Sequence, residues 1–319
     1  MLILKRLFQV LFALVLLCFI ALVAFMYIEP EKATQIAVDA ERRQSGLVRK
    51  EITTPDGLHY AYLEGGQGDP LVLLHGFGAD KDNFTRVARW LTPHYRVIIP
   101  DLIGFGESSH PEDIDYSAHA QAARLQVLMQ SLGLGKIDLG GSSMGGQIAM
   151  AWAAQHPETV RSLWLIDAAG IWSAPKSELA RIVLSDSGNP LIAHNEDEFA
   201  ATYEFVMEDP PFIPRAMLNV MGREPIKYAK LHEKIFDQIA TESVEEDVTG
   251  LPTPTLIEWG AHDKAIDVRT AEVLSGLLPN SEVVILNNIG HLPMLEAPRR
   301  SAEDYLRFRA EQYQKITSK

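Results

Sequence analysis

The chain carries a single cysteine, Cys18, so no disulfide can close within it. Cysteine usage therefore says nothing about redox compartment. Positive charge is also scarce: 29 Lys and Arg stand against 42 Asp and Glu, a formal net charge of −13. Nucleic-acid binding needs a basic footprint, so nucleic acid is not an expected partner. No internal repeat or low-complexity tract is evident. His59, His94, His110, His119, His156, His194, His232 and His262 are scattered without the spacing of a metal site. Neither a metal nor a cofactor is expected. What remains is ordinary globular composition, 47% hydrophobic and 22% charged, at a length that suits one large domain or two small ones.

The first 28 residues stand apart. Lys5 and Arg6 are followed by "LFQVLFALVLLCFIALVAFMYI", which holds no charge from Leu7 to Ile28. As a helix this stretch reaches roughly 33 Å, enough to cross a hydrocarbon core of about 30 Å. A cleaved signal peptide has a shorter apolar region and a small-x-small cleavage site, and no clear A-x-A follows here. Residues 1–28 are therefore expected to be an uncleaved single-pass anchor. Lys5 and Arg6 on one flank nearly balance Lys32, Arg42 and Arg43 on the other. The charges closest to the span favour a cytoplasmic N-terminus, with the rest of the chain outside the cytoplasm.

Residues 29–50 are polar with scattered alanines and read as a juxtamembrane stalk. Beyond them, short apolar runs alternate with longer amphipathic ones. "LVLLHG" (71–76), "RVIIPD" (96–101), "KIDLGG" (136–141), "SLWLID" (162–167), "PTLIEWG" (254–260) and "EVVILNN" (282–288) read as buried strands. "YSAHAQAARLQVLMQSLG" (116–133) reads as a helix ended by Gly133. This alternation predicts an α/β fold, a mostly parallel sheet with helices on both faces. The rhythm breaks between Ala168 and Thr253, where "SELARIVLSD", "EDEFAATYEFVM" and "PIKYAKLHEKIFDQIA" are helical and no strand is evident. The expected division is a core over 51–170, a helical lid over 171–250 and the rest of the core over 251–319. Apolar lid residues are expected to pack as lid core, to line an acyl pocket or to meet the membrane surface.

"GGSSMGG" (140–146) lies between a strand and the apolar helix "QIAMAWAAQ". A sharp strand-to-helix turn that presents a serine needs small residues two positions away on each side, the G-x-S-x-G elbow. Centring on Ser143 puts Gly141 and Gly145 at those positions, whereas centring on Ser142 puts Met144 at the second. Ser143 is the expected nucleophile and Ser142 a small filler. A serine hydroxyl needs a base, and the partners of such an elbow follow in the order acid, then histidine, each just beyond a later strand. His291 follows "EVVILNN". Asp263 follows "PTLIEWG", with Asp267 and Asp167 as rival carboxylates. Asp263 would hold the imidazole tautomer. The backbone amides of Met144 and Phe77 are the expected oxyanion donors, with His75 buttressing the Phe77 loop.

These motifs carry a resemblance. "HGFG", "DLIGFGES", "GSSMGG", "WGAHDK" and "GHLPMLEAP" together resemble the α/β-hydrolase superfamily from about Glu51 to the C-terminus. Within it the chain is most similar to single-pass, membrane-anchored monoacylglycerol lipases and esterases. The supporting features are the N-terminal anchor, "HGFGADKDNF", "SSMGGQIA" and "NPLIAHNEDEF". The resemblance implies a membrane-anchored serine hydrolase acting on carboxylic esters of lipophilic acids, with monoacylglycerols among them. Carbon–carbon bond hydrolases of aromatic ring cleavage share "SMGG" but usually follow the catalytic histidine with tryptophan, where this chain has Leu292. They are the alternative, and an inactive interaction module on the same scaffold is a further one.

Overall fold

The computed structural model describes residues 2–317. Helix α1 (Leu2–Ile28) is followed at once by α2 (Pro30–Gln44). Strands β1 (Leu47–Thr53), β2 (His59–Gly65) and β3 (Pro70–Leu74) lead to α3 (Thr85–Leu91), β4 (Arg96–Pro100) and α4 (Ala118–Ser131). Then come β5 (Ile137–Ser142), α5 (Met144–Gln155) and β6 (Val160–Ile166). Five helices separate β6 from the next strand: α6 (Glu178–Leu184), α7 (Glu196–Val206), α8 (Arg215–Lys227), α9 (Ala229–Thr241) and α10 (Glu245–Val248). The chain closes with β7 (Thr255–Gly260), α11 (Thr270–Leu277), β8 (Ser281–Leu286), α12 (Pro293–Glu296) and α13 (Pro298–Thr317).

The eight strands form one sheet in the order β1-β2-β4-β3-β5-β6-β7-β8. From β4 to β8 neighbouring strands are parallel, and β1 and β2 add an antiparallel edge. Both faces of the central parallel strands are covered, which is why they read as unbroken apolar runs, while the edge strand β8 leaves Val283 and Ile285 exposed. Alternate residues serve opposite faces. Val72 and Leu74 pack with Leu125, Ile148 and Trp152 from α4 and α5, while Leu71 and Leu73 pack with Phe84, Leu91 and Phe308 from the other side. Chain order reverses at β3, with β4 on one side and β5 on the other. Open α/β sheets bind ligands at the carboxyl ends of the strands flanking such a reversal.

The antiparallel strands β1, at the edge, and β2, inside it, are additions to the six strands read from sequence. β1 carries Arg49, Lys50 and Glu51 on exposed positions, so no apolar run marks it. Charge on an edge strand blocks further strand pairing. In the inserted segment one helix expected over 225–240 is two elements. α8 runs through Pro225 to Lys227, and α9 starts at Ala229. Proline in the last turn leaves most of α8's ladder intact, and the apolar face of α8 decides its length. Gly222 is required on that face, because a Cβ there would lie 2.8 Å from the Phe199 ring.

None of the most apolar stretch of α1 is buried against the protein, and this helix is long and apolar enough to cross a membrane. α2, by contrast, docks on the body. Arg42 makes a two-pronged contact to Asp82, with Nε 2.7 Å from Oδ1 and Nη2 2.6 Å from Oδ2. Arg86 reaches Glu41 on α2, and Ser45 Oγ donates to the Thr85 carbonyl at 2.6 Å. α2 also packs along α8, where Arg223 Nη1 meets Glu31 at 2.7 Å.

Candidate active site

Ser143 stands between the last residue of β5 and the first of α5, with φ 53° and ψ −120°. Its amide donates to the Ile166 carbonyl at 3.0 Å, and its own carbonyl accepts from the Gly146, Gln147 and Ala169 amides. This turn explains the glycines around it. A Cβ on Gly141 would lie 2.2 Å from the Gly145 carbonyl oxygen, and one on Gly145 would lie 2.2 Å from that of Leu74. Ser142 Oγ, by contrast, is buried and has no hydrogen-bond partner among the described residues.

α5 starts at Met144, so the Met144 amide is among those left without an intrahelical acceptor. The loop after β3 lies against the serine. A Cβ on Gly76 would approach Ser143 Cβ to 3.2 Å. Phe77, next in that loop, has its ring edge-on to Phe105, His232 and Phe236 at 5.5–5.7 Å between centroids. Beneath it His75 is fully buried. Its Nε2 accepts from the Leu102 amide at 2.9 Å, which leaves Nδ1 to donate to the Gly76 carbonyl at 2.8 Å. Burial depresses the His75 pKa, consistent with a neutral ring that props the loop.

His291 follows Gly290 in the loop after β8 and is almost fully buried. Its Nδ1 lies 2.8 Å from Asp263 Oδ2. Asp263 Oδ1 accepts the amides of Ala265 (2.7 Å) and Ile266 (3.0 Å), so the carboxylate is held from both ends. Asp267 is elsewhere: its oxygens pair with Arg269 at 2.7–2.8 Å, and this pairing lowers its pKa. The other rival, Asp167, is fully buried beside Asp263. Ligand atoms of Asp167, Asp263 and His291 lie within 4.8 Å of one another. A cation there would have to break the Asp263–His291 hydrogen bond.

Ser143, His291, Gly76 and Phe77 share the wall of one cavity of about 680 Å³. Much of the rest is apolar, with Phe199, Val206, Met207, Phe212, Ile213, Met217 and Met221 from the inserted segment. Thr34, Ala37, Val38 and Arg42 of α2 also line it, and one side is charged, with Glu41, Asp80, Lys81, Asp82, Arg86, Glu107 and Glu224. The insertion is tied to the histidine loop, because the His291 amide donates to the Val206 carbonyl at 2.8 Å.

Glu296 is a site residue that sequence reading did not single out. Its carboxylate accepts the Gly290 amide at 3.0 Å and the amides of Glu208 (2.9 Å) and Asp209 (3.0 Å). One side chain thus joins the histidine loop to the start of the segment between α7 and α8. The only trace in the sequence is its place in "GHLPMLEAP".

A mostly parallel eight-stranded sheet with a serine elbow after β5 and a histidine after the last strand defines an α/β hydrolase. The family model described as alpha/beta hydrolase fold matches residues 69–298, and the chain belongs to that family. Within it the chain is a hydrolase of the lipase and esterase type. It is 44% identical to Lipase 1 of Psychrobacter immobilis over 285 residues, 87% of this chain and 89% of that one. It is 32% identical to monoacylglycerol lipase abhd6-B of Xenopus laevis over 262 residues, 77% of this chain and 78% of the relative. Among solved structures it is similar to a membrane phospholipase A described as a bacterial virulence factor. That match has a TM-score of 0.86 at 38% identity, covering 95% of this chain and 98% of the other.

Proposed function

We propose that this protein is a membrane-anchored serine hydrolase that cleaves carboxylic esters of lipophilic acids, monoacylglycerols among them. Ser143 attacks the ester carbonyl while His291 takes its proton. The amides of Met144 and Phe77 receive the oxyanion, and Asp263 keeps the proton of His291 on Nδ1 and stabilises the imidazolium. The alcohol leaves with the proton from His291. Water, activated by the same histidine, then releases the acid from the acyl-enzyme.

The observation that carries the reading is the shared cavity. Ser143 and His291 lie on a wall that is otherwise largely apolar, and α2, the helix continuing from α1, forms part of it. An acyl chain suits such a lining, because apolar area removed from water contributes about 25 cal/mol per Å². Residues 1–28 act as the anchor, 29–50 join it to the body, and 171–250 act as the lid on a core of 51–170 and 251–319. The flanking charges favour the catalytic domain outside the cytoplasm. The lipase relatives support the ester substrate class.

A panel of esters graded by acyl chain length, with one ring-cleavage dienone included, tests the reading. Hydrolysis should rise from short to long acyl chains and be lost in Ser143→Ala. Turnover of the dienone with no ester hydrolysis would assign the site to carbon–carbon cleavage instead.

A further inference from the structure

Asp167 is the first residue beyond β6, beside the strand whose following loop carries Asp263. Its φ is 45°, in the left-handed region. Aspartate and asparagine tolerate that region better than most side chains. The amide of Asp167 donates to the Glu258 carbonyl at 3.0 Å, and its Oδ1 accepts the Gly260 amide at 2.8 Å. Oδ2 is buried and receives no N–H or hydroxyl donor among the described residues. The group beside this carboxyl is the carboxyl of Asp263: ligand atoms of Asp167, Asp263 and His291 fall within 4.8 Å of one another.

Two carboxyl groups hydrogen-bond only if one of them holds a proton, and two buried like charges in contact cannot both ionise. The donors decide which one is neutral. Asp263 accepts two backbone amides and the His291 ring, whereas Asp167 accepts one amide. Glu258, the other titratable neighbour, is buried too. It is occupied by Ser301 Oγ at 2.6 Å and Trp164 Nε1 at 2.8 Å, and brings no positive charge. Burial, then the charge of Asp263, pushes the Asp167 carboxyl well above the usual range.

We propose that Asp167 is a positioning residue: a neutral carboxylic acid that donates its proton to the Asp263 carboxylate and thereby fixes it against His291. This rests on the assignment of Ser143, His291 and Asp263 above. The donated hydrogen bond occupies a lone pair of Asp263, keeps Oδ2 turned to Nδ1, and limits the pair of carboxyls to one negative charge. Asparagine reproduces this arrangement, with its oxygen on the Gly260 amide and its NH₂ on Asp263. Glycine fits the backbone and removes the donor.

The test compares full-length Asp167→Asn and Asp167→Gly with wild type. The kcat/KM profile against pH is followed on a short, soluble ester, with an infrared difference spectrum of wild type minus Asp167→Asn at about pH 8. Asp167→Gly should lose about tenfold or more in kcat and move the acidic limb upward by about half a unit. The upward move follows because an undonated Asp263 carboxylate holds the imidazolium more firmly. Asp167→Asn should restore kcat to within about threefold and return the limb to its wild-type position. The difference spectrum should contain a carboxylic-acid carbonyl band. An acidic limb lowered by a unit or more in Asp167→Asn, with no such band, would mean that Asp167 carries a charge and would overturn the proposal. So would a glycine variant with unchanged kcat and limb, since the side chain would then only fill space. If Asp167→Gly does not fold, the asparagine profile and the band decide. Labelling of wild-type Ser143 by an organophosphonate, run in parallel, reports separately on the catalytic assignment.

Discussion

His291 Nδ1 and Asp263 Oδ2 lie 2.8 Å apart, whereas Asp267 spends both carboxylate oxygens on Arg269. Asp263→Asn should therefore lower kcat by about four orders of magnitude, since an amide favours the wrong imidazole tautomer. Asp267→Asn should change kcat by less than about threefold. Steady-state kinetics on folded variants, checked by circular dichroism, decide the ranking. The reverse order would move the acid to Asp267.

The places of the candidate serine and carboxylates along the chain were legible because each follows a strand that betrays itself, whereas His291 follows β8, which is only partly buried. β5, β6 and β7 are buried on both faces, so their apolar runs mark their ends, and the chemistry sits just beyond them. β1 was not legible, since four of its seven residues in a row are solvent-exposed and it holds its place by pairing with β2. The start of α9 was misread because Pro225 looks like a first-turn proline, yet it closes the preceding helix. Docking of α2 depends on Arg42 meeting Asp82 across 40 residues, a pairing that no local pattern encodes. The same holds for Glu296, whose role lies in three backbone amides far from it or in the adjoining turn.

Glu296→Gln should weaken both the histidine loop and its tie to the insertion. Hydrogen bonds to a charged acceptor contribute about 1.5–3 kcal/mol each, and a neutral amide retains only part of that. The expected outcome is a lower Tm and a fall in kcat/KM of about tenfold, read by calorimetry and kinetics on a soluble ester. An unchanged Tm and rate would show that the loop holds its shape without the charge.

Glu258 predicts a pH dependence of stability. Burial raises its pKa from 4.5 to about 7. The folded protein thus keeps a proton that the unfolded chain releases, and stability from this group falls as pH rises from about 4.5 through 7. Glutamine can accept from Trp164 and donate to Ser301, so Glu258→Gln should remove this loss while keeping both contacts. The Tm of the variant relative to wild type should rise between pH 5 and pH 8, by about a few degrees. A difference that is flat across that range would mean that Glu258 is ionised throughout.

Removing residues 1–28 separates anchorage from chemistry. The apolar stretch of α1 is not buried against the protein, so its deletion should leave kcat/KM on a short, soluble ester within about twofold. The rate on a long-chain monoacylglycerol in vesicles should fall, because the anchored enzyme meets membrane-partitioned substrate at high local concentration. The informative quantity is the ratio of the two activities at equal active-site titre. Equal ratios for the full-length and truncated proteins would leave α1 with location alone.

The nucleophile is tested most directly by mass spectrometry after reaction with an organophosphonate ester probe. Ser143 lies in the cavity wall with His291, while Ser142 Oγ is buried and has no hydrogen-bond partner among the described residues. The account predicts one adduct per chain, on the peptide holding "GGSSMGG", mapped by fragmentation to Ser143. The adduct should be absent in Ser143→Ala and retained in Ser142→Ala, with ester hydrolysis following the same pattern. An adduct on Ser142 in the Ser143→Ala protein, or ester hydrolysis surviving that substitution, would contradict it.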